Sequence, residues 1–355
     1  MDAAALRAQF PVLREKAYLN AGTCGPVPEA AVRAAGAAAR AAADEGRAMP
    51  RWERLLAVRD KVRAAYAERL SALPEDVALT SSTSDGVARV LVGLGIGEGD
   101  EVVTSDTEHP ALFGPLIAAR ARGAAIRAVP LQDVRDAIGP QTTLVACSHV
   151  DWITGAVVPD LSSVRIPVLL DGAQGTGAVA VNVAALGCDF YAGSGQKWLC
   201  GPEGTGMLWV SPLWRERLEP VAPGYLNLAE PGRGLDTEPW PDARAYDGPA
   251  IPLEAWEAAL AAHDVLAEFG WPQVHERATG LAAQFAGRLR ERGLTVAPRG
   301  ETTLVTWETP DSEELPARLA AQSIVVRNLP GTPFVRASIG AWNDESDLER
   351  LLAGI

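Results

Sequence analysis

Pro167-Val-Leu-Leu-Asp-Gly-Ala-Gln174 is an apolar run without polar alternation, closed by an acid and a glycine. A strand with one face in water alternates polar and apolar side chains, whereas a strand covered on both faces does not. The run therefore predicts a strand buried between two layers of helices. Four similar runs precede it, at 77–80, 101–105, 125–130 and 143–149, and two follow, at 188–192 and 206–210. Turn residues or stretches of helical spacing separate them. Together they predict an α/β fold with a mostly parallel seven-stranded sheet. Ligands of such sheets sit beyond the carboxyl ends of the strands, and His109, Asp171 and Lys197 all lie just past such ends.

Beyond residue 210 the pattern changes. The stretch 211–252 is rich in Pro and Gly and reads as loop. Leu253, Trp256, Leu260 and Leu266 then recur at helical spacing until Gly270 and Pro272 stop the run. The remainder reads as a helix, a strand pair, a helix, strands at 324–327 and 334–339, and a final helix from about Asp344 with Asn343 as its N-cap. The expected organisation is a large α/β domain, 20–250, and a small α+β domain formed by 1–19 and 251–355. The Ala-rich stretch 30–43 reads as a helix, since alanine has the highest helix propensity.

A chain of 355 residues, 48% hydrophobic and 22% charged, suits two soluble domains, and no apolar stretch is long enough to span a bilayer. The N-terminus lacks the basic flank and apolar run of a secretory signal, so the cytoplasm is the expected location. A net charge of −13 without clustered Lys and Arg speaks against nucleic-acid binding. Cys24, Cys147, Cys188 and Cys200 are scattered, with neither the spacing of a zinc site nor a disulfide framework. No metal site is expected. Gly93-Leu-Gly-Ile-Gly97 precedes a strand rather than following one, which suits a turn better than a dinucleotide loop.

Three segments carry the chemistry. Thr80-Ser-Ser-Thr-Ser-Asp-Gly-Val87 ends one apolar run and opens a helical one. Free N–H groups at a helix start favour an anion, and hydroxyls add donors; helix capping is the alternative. Asp171 closes a buried strand, where an unpaired carboxylate is costly, so it wants a cationic partner: a pyridinium nitrogen is one candidate, and an arginine elsewhere in the chain or a capping role is the alternative. Ser194-Gly-Gln-Lys197-Trp-Leu-Cys-Gly-Pro-Glu-Gly-Thr-Gly206 sets one lysine among small residues that allow close approach of a ligand. In a partly dry, cationic setting a lysine loses its proton and attacks a carbonyl to form a Schiff base.

With these motifs the chain resembles the class V group of fold type I pyridoxal 5′-phosphate (PLP) enzymes, from Tyr18-Leu-Asn-Ala-Gly-Thr-Cys-Gly-Pro26 to Phe334-Val-Arg-Ala-Ser-Ile-Gly340. That group includes cysteine desulfurases, cystine lyases, kynureninases and isopenicillin N epimerases. The resemblance implies that Lys197 is the Schiff-base lysine, Asp171 the partner of the pyridine nitrogen and Gln174 the donor to the phenolic oxygen. His109 would stack on the ring. Thr83, Ser84, Ser194 and Gln196 would hold the phosphate, Arg336 the substrate carboxylate, with Trp152 and Asn20 beside the substrate. A homodimer is also implied, as is an active-site approach of the segment that holds Cys24.

Departures from the group narrow the expected reaction. Gln196 stands where many relatives have a titratable His. The stretch Ile324-Val-Val-Arg-Asn-Leu-Pro-Gly-Thr-Pro333 is short and lacks the catalytic Cys of desulfurases. Trp152, in Ser148-His-Val-Asp-Trp-Ile-Thr-Gly155, replaces their Asn in a pattern closer to cystine lyases. Asp247-Gly-Pro249 stands where a Gly-Thr usually reaches the neighbouring subunit's phosphate. The expected activity is a carbon–sulfur β-lyase on cystine- or cysteine-type L-amino acids. The alternatives are an aminotransferase or epimerase, or a PLP-binding protein without turnover.

Overall fold

The computed structural model describes residues 1–355. Helix α1 (Ala3–Ala8) starts at Asp2, whose carboxylate accepts the Ala5 N–H at 2.8 Å. Strand β1 (Ala17–Tyr18) follows, then the Ala-rich α2 (Glu29–Asp44) and the long α3 (Met49–Leu70). The central sheet comes next: β2 (Val77–Thr80), α4 (Thr83–Gly93), β3 (Glu101–Ser105), α5 (Pro110–Ala121), β4 (Ala125–Val129), β5 (Thr142–Ser148), β6 (Val168–Asp171), β7 (Phe190–Ser194) and β8 (Gly206–Val210).

The seven strands lie in the order β2-β8-β7-β6-β5-β3-β4. Only β8 runs against its neighbours; β7, β6, β5, β3 and β4 pair in parallel. The lack of alternation in β6 has a direct cause. Leu169 points into the core under α4 and α5, while Leu170 points into the opposite core, with Tyr191, Trp256 and Leu266. Both faces are dry, so both parities are apolar.

Between β8 and the next helix, 211–252 contains only short 3-10 turns. Helix α6 (Leu253–Phe269) ends at Gly270, whose φ of 98° suits a residue without Cβ, and Pro272 opens α7 (Trp271–Glu291) from its second position. Then come β9 (Leu304–Glu308), α8 (Leu315–Ala320), β10 (Ile324–Val325), β11 (Arg327–Asn328), β12 (Phe334–Ser338) and α9 (Glu345–Gly354). α6 and the first half of α7 pack with the large sheet, and a separate core begins at Leu281, joining Phe285, Trp307, Val335 and Leu351.

Three expectations for this region change. The strand pair is one strand, β9, with a single bridge from Val296 to Trp307. The run 324–327 is split: β10 pairs in parallel with β1, while β11 pairs antiparallel with β12. Asp344, not Asn343, caps α9. Asn343 instead donates to the Tyr18 carbonyl at 3.1 Å and accepts the Gly340 N–H, tying the N-terminal segment to the end of the chain. A bridge between Asn20 and Ser338 extends that tie toward the sheet's carboxyl edge.

Candidate active site

Asp171 ends β6 with 3% of its surface exposed, and accepts one N–H, from Ala173 at 2.9 Å. Burial pushes its pKa up, and the charge of Lys197 opposes that shift. No arginine hydrogen-bonds to its carboxylate. Lys197 itself is pushed down to about 8, first by burial, with Asp171 holding it up and Arg336 and Arg327 pushing it further down. The Gln196 carbonyl accepts the Gly25 N–H at 2.8 Å. A Cβ on Gly25 would lie 2.0 Å from the Lys197 carbonyl, so only glycine passes there. In this way the N-terminal segment braces the lysine loop.

Ser194 pairs with Gly206 across β7 and β8. Gly206 in turn lies so near the Ser82 backbone that a Cβ would be 3.0 Å from it. This contact brings the start of α4, with Thr83 and Ser84, beside Ser194. Ser82 is the N-cap, accepting from the Asp85 N–H at 3.1 Å. Capping accordingly accounts for Ser82 but not for Thr83. Thr83 Oγ1 and Ser194 Oγ are buried hydroxyls with no partner in the protein, and the Gln196 Oε1 is also unpartnered. Buried polar groups are nearly always hydrogen-bonded, so the two orphan hydroxyl donors beside a helix N-terminus mark an anion seat.

His109 caps α5 and takes the Ala111 N–H on Nδ1 at 3.1 Å. Burial, then the charges of Lys197, Arg327 and Arg336, depress its pKa to about 4, so the ring is neutral. Trp152 meets it edge-on, with centroids 4.9 Å apart, and donates Nε1 to the Thr107 carbonyl at 2.7 Å. Gln174 gives Nε2 to the Gly22 carbonyl at 2.8 Å and receives Trp198 Nε1 at 3.0 Å, which leaves one amide N–H free. Arg336 is fully buried; Nη1 donates to the Trp152 carbonyl at 2.5 Å, while Nε and Nη2 have no partner. Burial and Arg327 lower its pKa to about 9. Asn20 accepts from the Thr23 hydroxyl at 2.8 Å.

Three further residues belong to this constellation and carry no sequence signal of their own. Asp151 accepts the N–H groups of Ile153 and Thr154 and the hydroxyls of Thr107 and Thr154, and so shapes the turn that presents Trp152. Glu108 is 3% exposed and bonds Ser148 through its N–H (2.7 Å) and hydroxyl (2.5 Å); burial, aided by Asp171 and Asp151, raises it to about 8. Arg327 donates to the Thr23 hydroxyl at 3.2 Å. Only the register of β11 on β12 brings it here.

Cys24 is half-buried, 3.8 Å from Glu203, and its pKa is raised by burial and by that acid. It is therefore a protonated thiol rather than an activated one. Asp247 lies within its own chain, gripped by Arg59 (2.5 Å) and Arg63 (2.9 and 2.8 Å), and Gly248 donates to Leu79.

An anion seat of unpaired hydroxyls, a buried carboxylate without an arginine and a lysine of lowered pKa together fit a phosphorylated pyridine aldehyde. The sequence model described as aminotransferase class-V matches residues 18–351. The chain belongs to the class-V aminotransferase family. A probable cysteine desulfurase of Halalkalibacterium halodurans is 30% identical over 79% of this chain and 77% of its own length. Isopenicillin N epimerase of Amycolatopsis lactamdurans is 30% identical over 94% of this chain and 92% of its own. Among solved structures, the cystine C-S lyase C-DES with its reaction product cysteine persulfide superposes with a TM-score of 0.90. It is 26% identical and the match covers 97% of this chain and 98% of the lyase. A variant of C-DES has glycine covalently linked to its PLP cofactor and matches equally well, at a TM-score of 0.90. This class-V protein is thus a PLP-dependent enzyme of amino-acid metabolism with the fold type I architecture.

Proposed function

We propose that this class-V enzyme is a carbon–sulfur β-lyase that removes a sulfur substituent from cystine- or cysteine-type L-amino acids. The observation that carries the reading is the turn between β11 and β12. It contains no cysteine, and the two thiols near Lys197, Cys24 and Cys200, are both held protonated, Cys200 by complete burial and Cys24 by burial and Glu203. A persulfide-forming nucleophile is thereby disfavoured, since a thiolate is needed for attack. The identity of Trp152, packed edge-on against His109, supports the same choice.

Bound PLP supplies a ring that withdraws electrons from the substrate's α-carbon. In our reading Asp171 keeps the ring nitrogen protonated, the flat neutral His109 stacks on the ring and Gln174 gives its free N–H to the phenolic oxygen. Thr83, Ser84, Ser194 and Gln196 take the phosphate. The two unpartnered nitrogens of Arg336 grip the α-carboxylate as a fork. Lys197 holds the cofactor in the resting enzyme; its amine, part-deprotonated near neutral pH, then removes the α-proton. Trp152 and Asn20 flank the substrate. We also propose a cytoplasmic homodimer that binds neither nucleic acid nor membrane; no helix is long and apolar enough to cross a bilayer.

Incubating the PLP-loaded protein with L-cystine and measuring pyruvate and ammonia tests the lyase reading. Release of both in equal amounts is the expected result. Keto-acid-dependent amino exchange, or loss of α-deuterium without elimination, would replace it with an aminotransferase or an epimerase. A spectrum unmoved by any amino acid would leave a PLP-binding protein without turnover.

A further inference from the structure

Arg327 and Arg336 are directly opposed residues on the antiparallel strands β11 and β12. Like charges in that position repel, and a neighbouring carboxylate would ordinarily relieve them. Here Arg327 gives Nε to the Asn328 carbonyl and Nη1 to the Thr23 hydroxyl, both at 3.2 Å, and Arg336 gives Nη1 to the Trp152 carbonyl. All three acceptors are neutral oxygens. No acid hydrogen-bonds to either arginine: Asp151, whose charge also supports Arg336, is bonded to Thr107, Ile153 and Thr154, and Glu203 is exposed at the outer rim beside Cys24. Lys197, Arg327 and Arg336 all bear on His109 and depress it, so the three cations face one space. Asp171, 3% exposed and bearing on Lys197, is reserved in our reading for a ring nitrogen.

The two arginines differ in depth. Arg336 is completely buried, whereas Arg327 is half-buried, with its guanidinium 6.0 Å from the centre of the Trp152 ring. The inner one suits a carboxylate close to the reacting carbon. The outer one suits an anion several bonds further out. Its position is fixed through Thr23, which donates in turn to Asn20, so its remaining N–H groups are pre-set rather than free to swing.

We infer that Arg327 is a specificity-determining residue that binds a second carboxylate, at the far end of the substrate side chain. The inference rests on the amino-acid-handling site proposed above and deepens it. Preferred substrates are dicarboxylic amino acids, with the α-carboxylate on Arg336 and the distal one on Arg327. A neutral side chain leaves Arg327 facing an apolar group and loses a charge-assisted hydrogen bond.

The test uses the PLP-loaded protein and two L-amino acids that lack a leaving group, 2-aminopimelate, with a distal carboxylate, and norleucine, without one. Titration of the cofactor's absorbance band gives a dissociation constant for each. The wild type should bind aminopimelate tighter by about tenfold to a hundredfold, the range of one charge-assisted hydrogen bond. Arg327→Gln should erase that preference while changing norleucine binding by less than about threefold, on the same principle. Arg327→Lys, which keeps the charge, should retain part of it. Equal weakening of both ligands by Arg327→Gln would overturn the proposal and make Arg327 a second clamp on the α-carboxylate. Equal binding by the wild type would overturn it as well. Pyruvate release from cystine is measured separately, so failure of the lyase reading leaves this outcome distinct.

Discussion

Glu108 shows what a single buried carboxyl does to the stability of the chain. Its pKa lies near 8 in the fold against an ordinary 4.5, chiefly because burial penalises the charge. A raised value means that the folded state holds the proton more tightly than the unfolded state. The stabilisation is therefore complete below about pH 4.5 and disappears as pH rises through 8. Glu108→Gln keeps the hydrogen bonds to Ser148 and removes the ionisation. In the cofactor-free protein we expect the variant to gain on the wild type between pH 5 and pH 9 by roughly 2–4 kcal/mol. Denaturant midpoints at several pH values measure this; parallel curves for the two proteins would refute it.

The same scale shows which site residues were legible in the sequence. Lys197 and Asp171 stood out because a charged residue among glycines, or at the end of a dry strand, breaks its local pattern. Arg327 did not, since an arginine at a strand end is ordinary until the strand opposite is known. Asp151 and Glu108 were hidden for a related reason: their partners, Thr107 and Ser148, lie on other elements.

At the scale of elements, the lysine loop and the N-terminal segment form one joint. Gly25 is the pivot, since its N–H meets the Gln196 carbonyl and its missing side chain makes room for the Lys197 backbone. Gly25→Ala forces that joint open. Overpacking of this kind costs about 1–3 kcal/mol, and here the strain falls on the loop that carries Lys197. We expect a lowered melting temperature together with reduced cofactor content, read from the absorbance of the purified protein. Unchanged values of both would show that the joint yields without effect.

The large sheet was legible because its inner strands are apolar on both faces; the edge strand β4 is largely exposed, and the run read at 188–192 forms its strand at Phe190–Ser194. The small sheet was not. β10 and β11 are two residues each, too short for any periodicity, and the turn between them assigns one to β1 and the other to β12. The N-cap of α9 slipped by one because Asn343 and Asp344 are equally good caps, and the carbonyl of Tyr18 claimed the first.

At the scale of the whole molecule, the segment 211–252 carries large apolar side chains outward. Tyr225 is 64% exposed and lies against the half-buried Trp52, with Leu56 of α3 lining the same groove, and Leu235, in the same segment, is wholly exposed. A grouping of this kind marks an interaction surface. For the proposed homodimer we expect sedimentation equilibrium to give twice the chain mass. Leu235→Asp, a charge on the most exposed of these residues, should weaken association. A wild-type protein that sediments as a fully active monomer would exclude the dimer.

The bridge from Asn20 to Ser338 has a consequence for how the enzyme is born. Residues more than 300 positions apart must meet before the N-terminal segment has its final seat. Such distant closures come late, and a chain emerging from the ribosome from its N-terminus meets them last. Asp171 on β6 and the loop that holds Lys197 are made well before β12, while Asn20 waits for β12. On this ordering the lysine loop can gain its Gly25 brace as soon as it is made, whereas the seat of Asn20 is completed only by the last strand of the chain.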